Sequence, residues 1–591
     1  MKLKKLAVLV AAVLTMTATT GLIGCGGGGE TIQKPDANET TYIKLLHFNA
    51  GFGKEYLDKS IALFQDAVKD KEYEPGKKGV YVDVEDSKMD ATGDFVLNSL
   101  DGSPYDLYIS TNVKPSAMKA NGHVLEISDL LNSKSTDEKP VSEFVEEKSI
   151  YERMFPDFQG YYSNTDGTMY GVPVFLISHH LYYDAELVAD RGFYIKEGST
   201  DTSITLTKNK AQAQKGVDGI PNTDDDGLPE TYAQFYLWIA KIESANVVPL
   251  HYAGKYQVHF EFAMQQFWAD FEGKDATKAC WTFDGTVMDD LIKEIKPDGS
   301  IDYYEPTAIT LDNGYMVQRQ EGRYRLLQMI EKFADSMQTQ DKWIHELAFS
   351  ESETHTSAQG SYLASKYTNK PILMFAEGQY WEAEATSKFE AYESRKGGKL
   401  DRKFALLPIP KYSRDDVGKN TTMLVFPGSQ MFANEHVKGA ANEQAVLDFL
   451  AFFNKAEHMD MQHNASSSIR PFDYEIDDTV SNNMSHYLKN FHKTFNSDKT
   501  DVVLGVANTD FYRMNYDTLG QYYWCLYSRY KENSDVTSYM PLKLFKDNPT
   551  FESNINAETF FEGLERQLTY KATDNSKSKW EEMLGRINYT G

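Results

Sequence analysis

The chain has 591 residues, of which 61 are Lys or Arg and 87 are Asp or Glu, giving a formal net charge of −26. That balance excludes the basic footprint of a nucleic-acid binder, and 41% hydrophobic with 13% aromatic residues excludes wholesale disorder. Three cysteines exclude a disulfide-rich scaffold.

The chain opens on Met1-Lys2-Leu3-Lys4-Lys5, continues with an apolar run from Leu6 to Leu14, and passes through small residues to Leu22-Ile23-Gly24-Cys25. This is the pattern of a secretory signal, too short to span a bilayer comfortably. Leu-Ile-Gly-Cys further resembles the bacterial lipoprotein signal. On that reading residues 1–24 are removed and Cys25 carries the lipid, which anchors the protein without spanning the membrane. Gly26–Gly29 and the polar residues up to Thr40 make 25–40 a flexible tether. Loss of Lys2, Lys4 and Lys5 leaves the body still more acidic, so attachment comes from lipid and not from a basic patch. Cys280 and Cys525 either pair or stay as separate buried thiols.

No later segment approaches the roughly 18 consecutive apolar residues of a membrane helix. Thr41–Phe48 predicts a strand. Lys54–Lys69 predicts a helix with Tyr56, Leu57, Ile61, Leu63, Phe64, Ala67 and Val68 at helical spacings. Val80–Val84 predicts a strand, Phe95–Leu100 a helix end, Asp101-Gly102-Ser103-Pro104 a turn, and Asp106–Ser110 another strand. Strands alternating with helices predict an α/β layer fold with a mainly parallel sheet.

From here the motifs become specific in order and spacing. They are Leu45–Asn49, Ala62-x-Phe64, Pro104–Ile109, Tyr170-Gly171-Val172-Pro173 with Leu181–Asp184, and Pro229–Tyr232 with Phe235. Phe375–Trp381, Leu406–Pro410 and Ala445–Phe453 complete the set. Together they resemble the extracellular solute-binding proteins of carbohydrate-uptake ABC transporters, the maltose-binding-protein-like group. Asp184 stands where that group usually has Asn, and the chain is long for it, with apparent insertions around 185–228 and 270–345. The resemblance implies a periplasmic-binding-protein-like fold of two α/β lobes, joined by crossing hinge segments, with ligand in the cleft. It places crossings near Gly171–Pro173, near Phe404–Pro410 and between Asn464 and Pro471. Lobe one is then 41–172 plus 406–462, and lobe two 173–405 plus 463–591. The implied protein is a lipid-anchored monomer on the extracytoplasmic face of the cell membrane. It captures an oligosaccharide and delivers it to an ABC permease.

The acidic loop from Asp218 to Glu230 is the densest chemical signal in the body. Asn222, Asp224 and Asp226 stand at alternate positions ahead of Gly227, as at positions 1, 3, 5 and 6 of a calcium loop, and Glu230 falls at position 9. Position 12 is Ala233, so the bidentate Glu of an EF-hand is missing, and Asp218 is the replacement from the other side. A structural Ca²⁺ is expected here, since crowded carboxylates repel unless something neutralises them. The competing reading is a solvated acidic turn.

A sugar site needs rings to stack on and polar groups around the edge. Trp381 and its neighbour Tyr380 follow an apolar strand and the turn-permitting Gly378, where the resembled group places a stacking Trp. Loops beyond strand ends add Asn49 and Phe52, and Tyr252 and Tyr256 flank Gly254. Arg470 at the last crossing offers a fork of donors to hydroxyls. Trp268, in a helical pattern, reads as core.

A secreted glycan-degrading enzyme shares the compartment and the aromatic richness, and Glu377, Glu382 and Glu384 are its candidate carboxylates. A binding protein for a peptide or another solute is a second alternative. No Gly-x-Ser-x-Gly, His-Glu-x-x-His or phosphate-loop pattern is present. His179 and His180 are adjacent in a strand, so they point apart and do not share a metal. No enzyme activity is expected.

Overall fold

The computed structural model describes residues 34–339, 342–395, 402–515, 541–547 and 555–587. The signal, Cys25, the first part of the tether and Cys525 lie outside the described residues. Cys280 is buried. No helix among the described residues is long and apolar enough to cross a membrane.

The chain is a two-lobed α/β structure built on a six-stranded and a four-stranded sheet. The strands of these sheets are β1 (Thr41–His47), β2 (Val80–Asp86), β3 (Leu107–Thr111), β4 (Val172–Ile177), β5 (His179–Asp184), β6 (Val248–His251), β7 (Ile372–Gly378), β8 (Phe404–Leu406), β9 (Thr421–Ala433) and β10 (Thr500–Leu504). The first sheet runs β10-β9-β3-β1-β2, with β4 also on β9, and the second runs β8-β5-β7-β6. The expected parallel character holds for β1 with β2 and with β3. It ends at β9, which is antiparallel to β3 and β4. The second sheet is mostly antiparallel, since β5 is antiparallel to both β7 and β8.

The opening elements follow the sequence pattern closely. Helix α1 (Glu55–Ala67) buries Tyr56, Leu57, Ser60, Ile61 and Phe64, a stripe of one face at the helical period. Full burial of each large apolar side chain is worth about 1.5–3 kcal/mol, and the stripe packs beneath the first sheet with Val80, Val82, Leu107 and Ile109. The Pro104–Ile109 motif has a structural reason as well. Asp106 Oδ2 accepts the Lys44 amide at 2.7 Å, and its carbonyl accepts the Asn434 amide at 2.9 Å. One short acidic residue thus ties β3 to β1 on one side and to β9 on the other.

The lobes join where β4 of the first sheet becomes β5 of the second, with only Ser178 between them. The first crossing is therefore at Ser178, a few residues beyond the expected Gly171–Pro173, because Val172–Ile177 still pairs with β9. The return crossing lies between β8 and β9, at 407–420. A further correction concerns the C-terminal part. Thr500–Leu504 pairs in parallel with Thr421–Val425 and so belongs to the first sheet, although residues 463–591 were expected in lobe two. The long reach of β9, which carries β10 on its first half and β3 on its second, has no local sequence signal.

Two further helices bear on the site. Helix α2 (Val258–Thr282) packs against β9 and β5, and α3 (His355–Ser365) precedes β7. Gln266 of α2 staples the lobes: its Oε1 accepts the Leu424 amide and its Nε2 donates to the Leu424 carbonyl, both at 2.9 Å. Gln379, just after β7, donates to the Leu176 carbonyl at 2.7 Å.

Candidate functional site

A cleft opens beside the Ser178 crossing and encloses a cavity of about 150 Å³. Its first-lobe wall is Asn112, Val113 and Lys114, which leave the carboxyl end of β3, with Phe426, Pro427 and Gln430 of β9. Its second-lobe wall includes His179 at the start of β5 and Phe262 in the first turns of α2. Tyr161 and Tyr162 also line it. Phe262 and Phe426 meet with ring centroids 6.2 Å apart and planes tilted by 45°. Partly exposed aromatic rings alternating with amide, hydroxyl and ammonium groups form the combination that binds a molecule with apolar faces and a polar rim.

The residues expected from sequence divide into three groups. Phe52 and Tyr380 do come together: their centroids are 5.3 Å apart, and Tyr380 lies 6.2 Å from His179 on the cleft wall. Gly51 makes this approach possible. It has a φ of 63°, and a Cβ there would stand 3.0 Å from the Tyr380 ring. Asn49 is half-buried in the same loop.

Trp381, Tyr252 and Arg470 are elsewhere. Trp381 is 0% exposed. Its ring sits among Phe404, Phe389, Phe375, Tyr362, Tyr487 and Tyr182, with centroids 5.0 to 6.4 Å away. Trp381 begins the short helix Trp381–Glu384, and that helix turns its ring back into the second lobe while Tyr380 stays at the edge. It offers no face to a ligand. Tyr252 is likewise buried, stacked 5.2 Å from Phe260. Arg470, also 0% exposed, bonds to the side chains of Gln462 and Asn454 and the Pro173 carbonyl, between the rings of Phe453 and Phe472. These bonds occupy both terminal nitrogens of the guanidinium within the protein interior, and burial lowers the group to about 9.

Tyr256 is 37% exposed and lies flat on His355, with centroids 4.3 Å apart and planes 7° off parallel. Trp268 is core, as its pattern suggested. His180 bonds to Ser178 and packs on Tyr182 and Phe491, whereas His179 packs on His259 and Phe262, so the two histidines do point apart.

Sequence reading missed Asn112, Lys114, Tyr161, Phe262, Phe426 and His179. The strand-end rule that led to Asn49 and Phe52 applies equally to Asn112–Lys114, which follow β3. Asn112 also adopts a φ of 57°, a conformation Asn tolerates better than most residues. Phe262 and Phe426 carry no such mark. A Phe in a helix or strand reads as core until the opposite lobe is in place.

The three glutamates considered for hydrolysis are each engaged. Glu377 is 0% exposed, beside His259 and His355. Burial works to raise its carboxyl, but the two imidazoles outweigh burial and hold it well below the carboxylate range. Burial pushes Glu382 up to about 7, against the Ser485 hydroxyl that donates to it. Glu384 accepts from Gln359 at 2.7 Å.

In the acidic loop, Glu230 pairs with Arg414, which also reaches Asp201, and Asp224 pairs with Lys493 at 3.1 Å. Asp226 accepts the Asn222 amide at 2.8 Å, with Asn222 at a φ of 67°. Asp225, absent from the sequence-based set, is buried in the loop along with Asp226 and Glu230. It accepts the Thr223 hydroxyl and the Asp218 amide, and burial raises it to about 6. Part of the expected repulsion is thus met by Arg414 and Lys493. Asp218, Asp225 and Asp226 have no basic partner among the described residues.

No protein-family model matches the chain, and no curated protein matches it. Solved structures do. A structure from a study of xylan utilisation by the thermophilic bacterium Caldanaerobius polysaccharolyticus superposes with a TM-score of 0.51 at 11% identity, covering 89% of this chain and 100% of the other. A chitin oligosaccharide binding protein gives 0.48 at 13% identity over 89% and 99%. The sugar-binding protein MalE of Xanthomonas citri gives 0.47 at 10% identity over 93% and 98%. The first match establishes a shared fold over nearly the whole of this chain.

Proposed function

We propose that this chain is the solute-binding component of a sugar-uptake ABC transporter and that an oligosaccharide occupies the cleft beside Ser178. The observation that carries the reading is the aromatic cleft itself. Phe262 from one lobe and Phe426 from the other flank a cavity edged by Asn112, Lys114 and Gln430, at the crossing of a two-lobed α/β fold. The fold shared with a structure from a xylan-utilisation study agrees with it. Contacts from both lobes bind the closed form better than the open one, and only that differential affinity drives closure. The closed form then docks on a permease. In this reading Cys25 carries the lipid, the chain acts as a monomer on the extracytoplasmic face of the cell membrane, and it performs no hydrolysis.

A panel of glycans screened by thermal shift, with reducing ends assayed in parallel, tests the reading. The expected result is a raised melting temperature with one glycan class and no new reducing ends. Release of sugar overturns it in favour of an enzyme, and a panel without any shift overturns the carbohydrate ligand.

Calcium in the 218–230 loop is a separate proposal. It rests on the Asn222, Asp224, Asp226 spacing and on Asp218 and Asp226, which have no basic partner among the described residues. A chelator is expected to lower the melting temperature and calcium to restore it; identical melts in both conditions would remove the ion from the account.

A further inference from the structure

We propose that His179, His259 and Glu377 form a divalent transition-metal site of the zinc type in the second-lobe wall of the cleft. One ligand atom from each of the three lies within 4.8 Å of the others. Three separate elements deliver them: His179 opens β5, Glu377 lies near the end of β7, and His259 is in the first turn of α2. The pairing of His179 with Gly378 holds the two strands in register. The set is closely enclosed, with His179 6%, His259 8% and Glu377 0% exposed.

Several observations favour a metal over a self-sufficient cluster. Nδ1 of His179 is buried and has no hydrogen-bond partner, and a buried polar atom left unpaired is unusual in a native interior. Nδ1 of His259 lies 2.5 Å from Glu377 Oε1 yet makes no aligned hydrogen bond. Zinc takes imidazole and carboxylate ligands at about 2.0–2.2 Å, so tetrahedral neighbours stand roughly 3.3 Å apart. The His259–Glu377 contact then needs to open by less than about 1 Å. Two imidazole nitrogens and a carboxylate oxygen suit zinc better than calcium or magnesium, which prefer oxygen alone.

The outer groups also fit. His355 Nδ1 lies 3.2 Å from Glu377 Oε2, the carboxylate oxygen turned away from His259. Tyr256 stacks on the His355 ring and fixes its plane. A partner that orients a ligating carboxylate in this way normally tunes metal affinity. Three protein ligands leave one tetrahedral position, and because His179 lines the cavity, that position opens towards the cleft, where water or an oxygen of a bound molecule completes the set. The inference stands independently of which solute the cleft takes.

The test uses the chelator-stripped, desalted protein titrated with zinc, with bound metal counted by mass spectrometry after gel filtration. Cobalt substitution supplies the visible spectrum of a tetrahedral site. The expected result is one zinc per chain and a tetrahedral cobalt spectrum, both lost in His179→Ala and in Glu377→Gln. His355→Ala is expected to weaken zinc about 10–100-fold, and His123→Ala, at an exposed histidine, to leave it unchanged. His179→Ala keeps the test open if Glu377→Gln fails to fold, because the His179 Nδ1 atom has no hydrogen bond to lose. Absence of saturable zinc binding, or zinc held equally by His179→Ala and His259→Ala with wild-type melting, overturns the proposal.

Discussion

Replacing Arg402 with alanine is expected to destabilise the second lobe by about 3–5 kcal/mol, the range for a buried ion pair stripped of one partner. Arg402 Nε donates to Asp184 Oδ2 at 2.8 Å, and neither side chain has any exposure. The guanidinium also donates to the carbonyls of Tyr362 and Leu363, and it lies over the rings of Tyr362 and Phe404. Asp184 in turn caps the helix Ala185–Arg191 by accepting the Leu187 amide at 3.1 Å. Removing the cation leaves a carboxylate in the interior with one amide donor, and that unpaired charge, more than the lost attraction, is the source of the effect. Urea denaturation of Arg402→Ala, Asp184→Asn and the double variant separates the two. The double variant is expected to lose clearly less than the sum of the single losses, since Asn leaves no charge to strand. An unchanged midpoint for Arg402→Ala would show that the pair is solvated and contributes nothing to stability. The departure at Asp184 from the Asn of the resembled group thus has a physical partner in Arg402, more than 200 residues along the chain.

This pair also shows what is and is not legible in such a sequence. Elements with a strong local period were readable. The Tyr56, Leu57, Ile61, Phe64 stripe and the Val80, Val82 alternation appear in the structure as the helix and strand they implied. The Pro104–Ile109 motif was readable too, because Asp106 makes contacts that the first sheet needs at a fixed place. What long-range pairing decides was not readable. Nothing in Thr500–Leu504 distinguishes a strand that rejoins the first sheet from one that stays in the second lobe. The site suffered most, because the same residue type serves core and cleft. Arg470 and Trp381 carry the groups a sugar site needs, but the first is held by Gln462 and Asn454 and the second is enclosed by six rings. Tyr380, one residue before Trp381, reaches the cleft edge with Phe52, and a one-residue difference at a strand-to-helix turn lies below what motif matching resolves.

The substitution pair Trp381→Ala and Phe262→Ala turns that distinction into a measurement. Trp381 fills the second-lobe core with no exposure, so its truncation is expected to cost about 3–5 kcal/mol through lost burial and the cavity left behind. Its melting temperature falls whether or not a glycan is present. Phe262 is half-buried on the cleft wall, so its truncation is expected to cost about 1 kcal/mol or less in the free protein. Its effect is on capture. Ring stacking beyond simple burial contributes about 0.5–1.5 kcal/mol, and the lost contact area adds to that, so affinity for a responding glycan drops roughly tenfold or more. Calorimetric melts without ligand, followed by titration of the glycan that gives the wild-type shift, read both effects on the same samples. A folded Trp381→Ala protein that no longer binds, beside a Phe262→Ala protein that binds like the wild type, would move the ligand out of the Phe262–Phe426 cleft and back towards the Trp381 face. The opposite pattern follows from the packing, because a ring enclosed by Phe404, Phe389 and Phe375 is unavailable to sugar without unfolding the lobe that holds it.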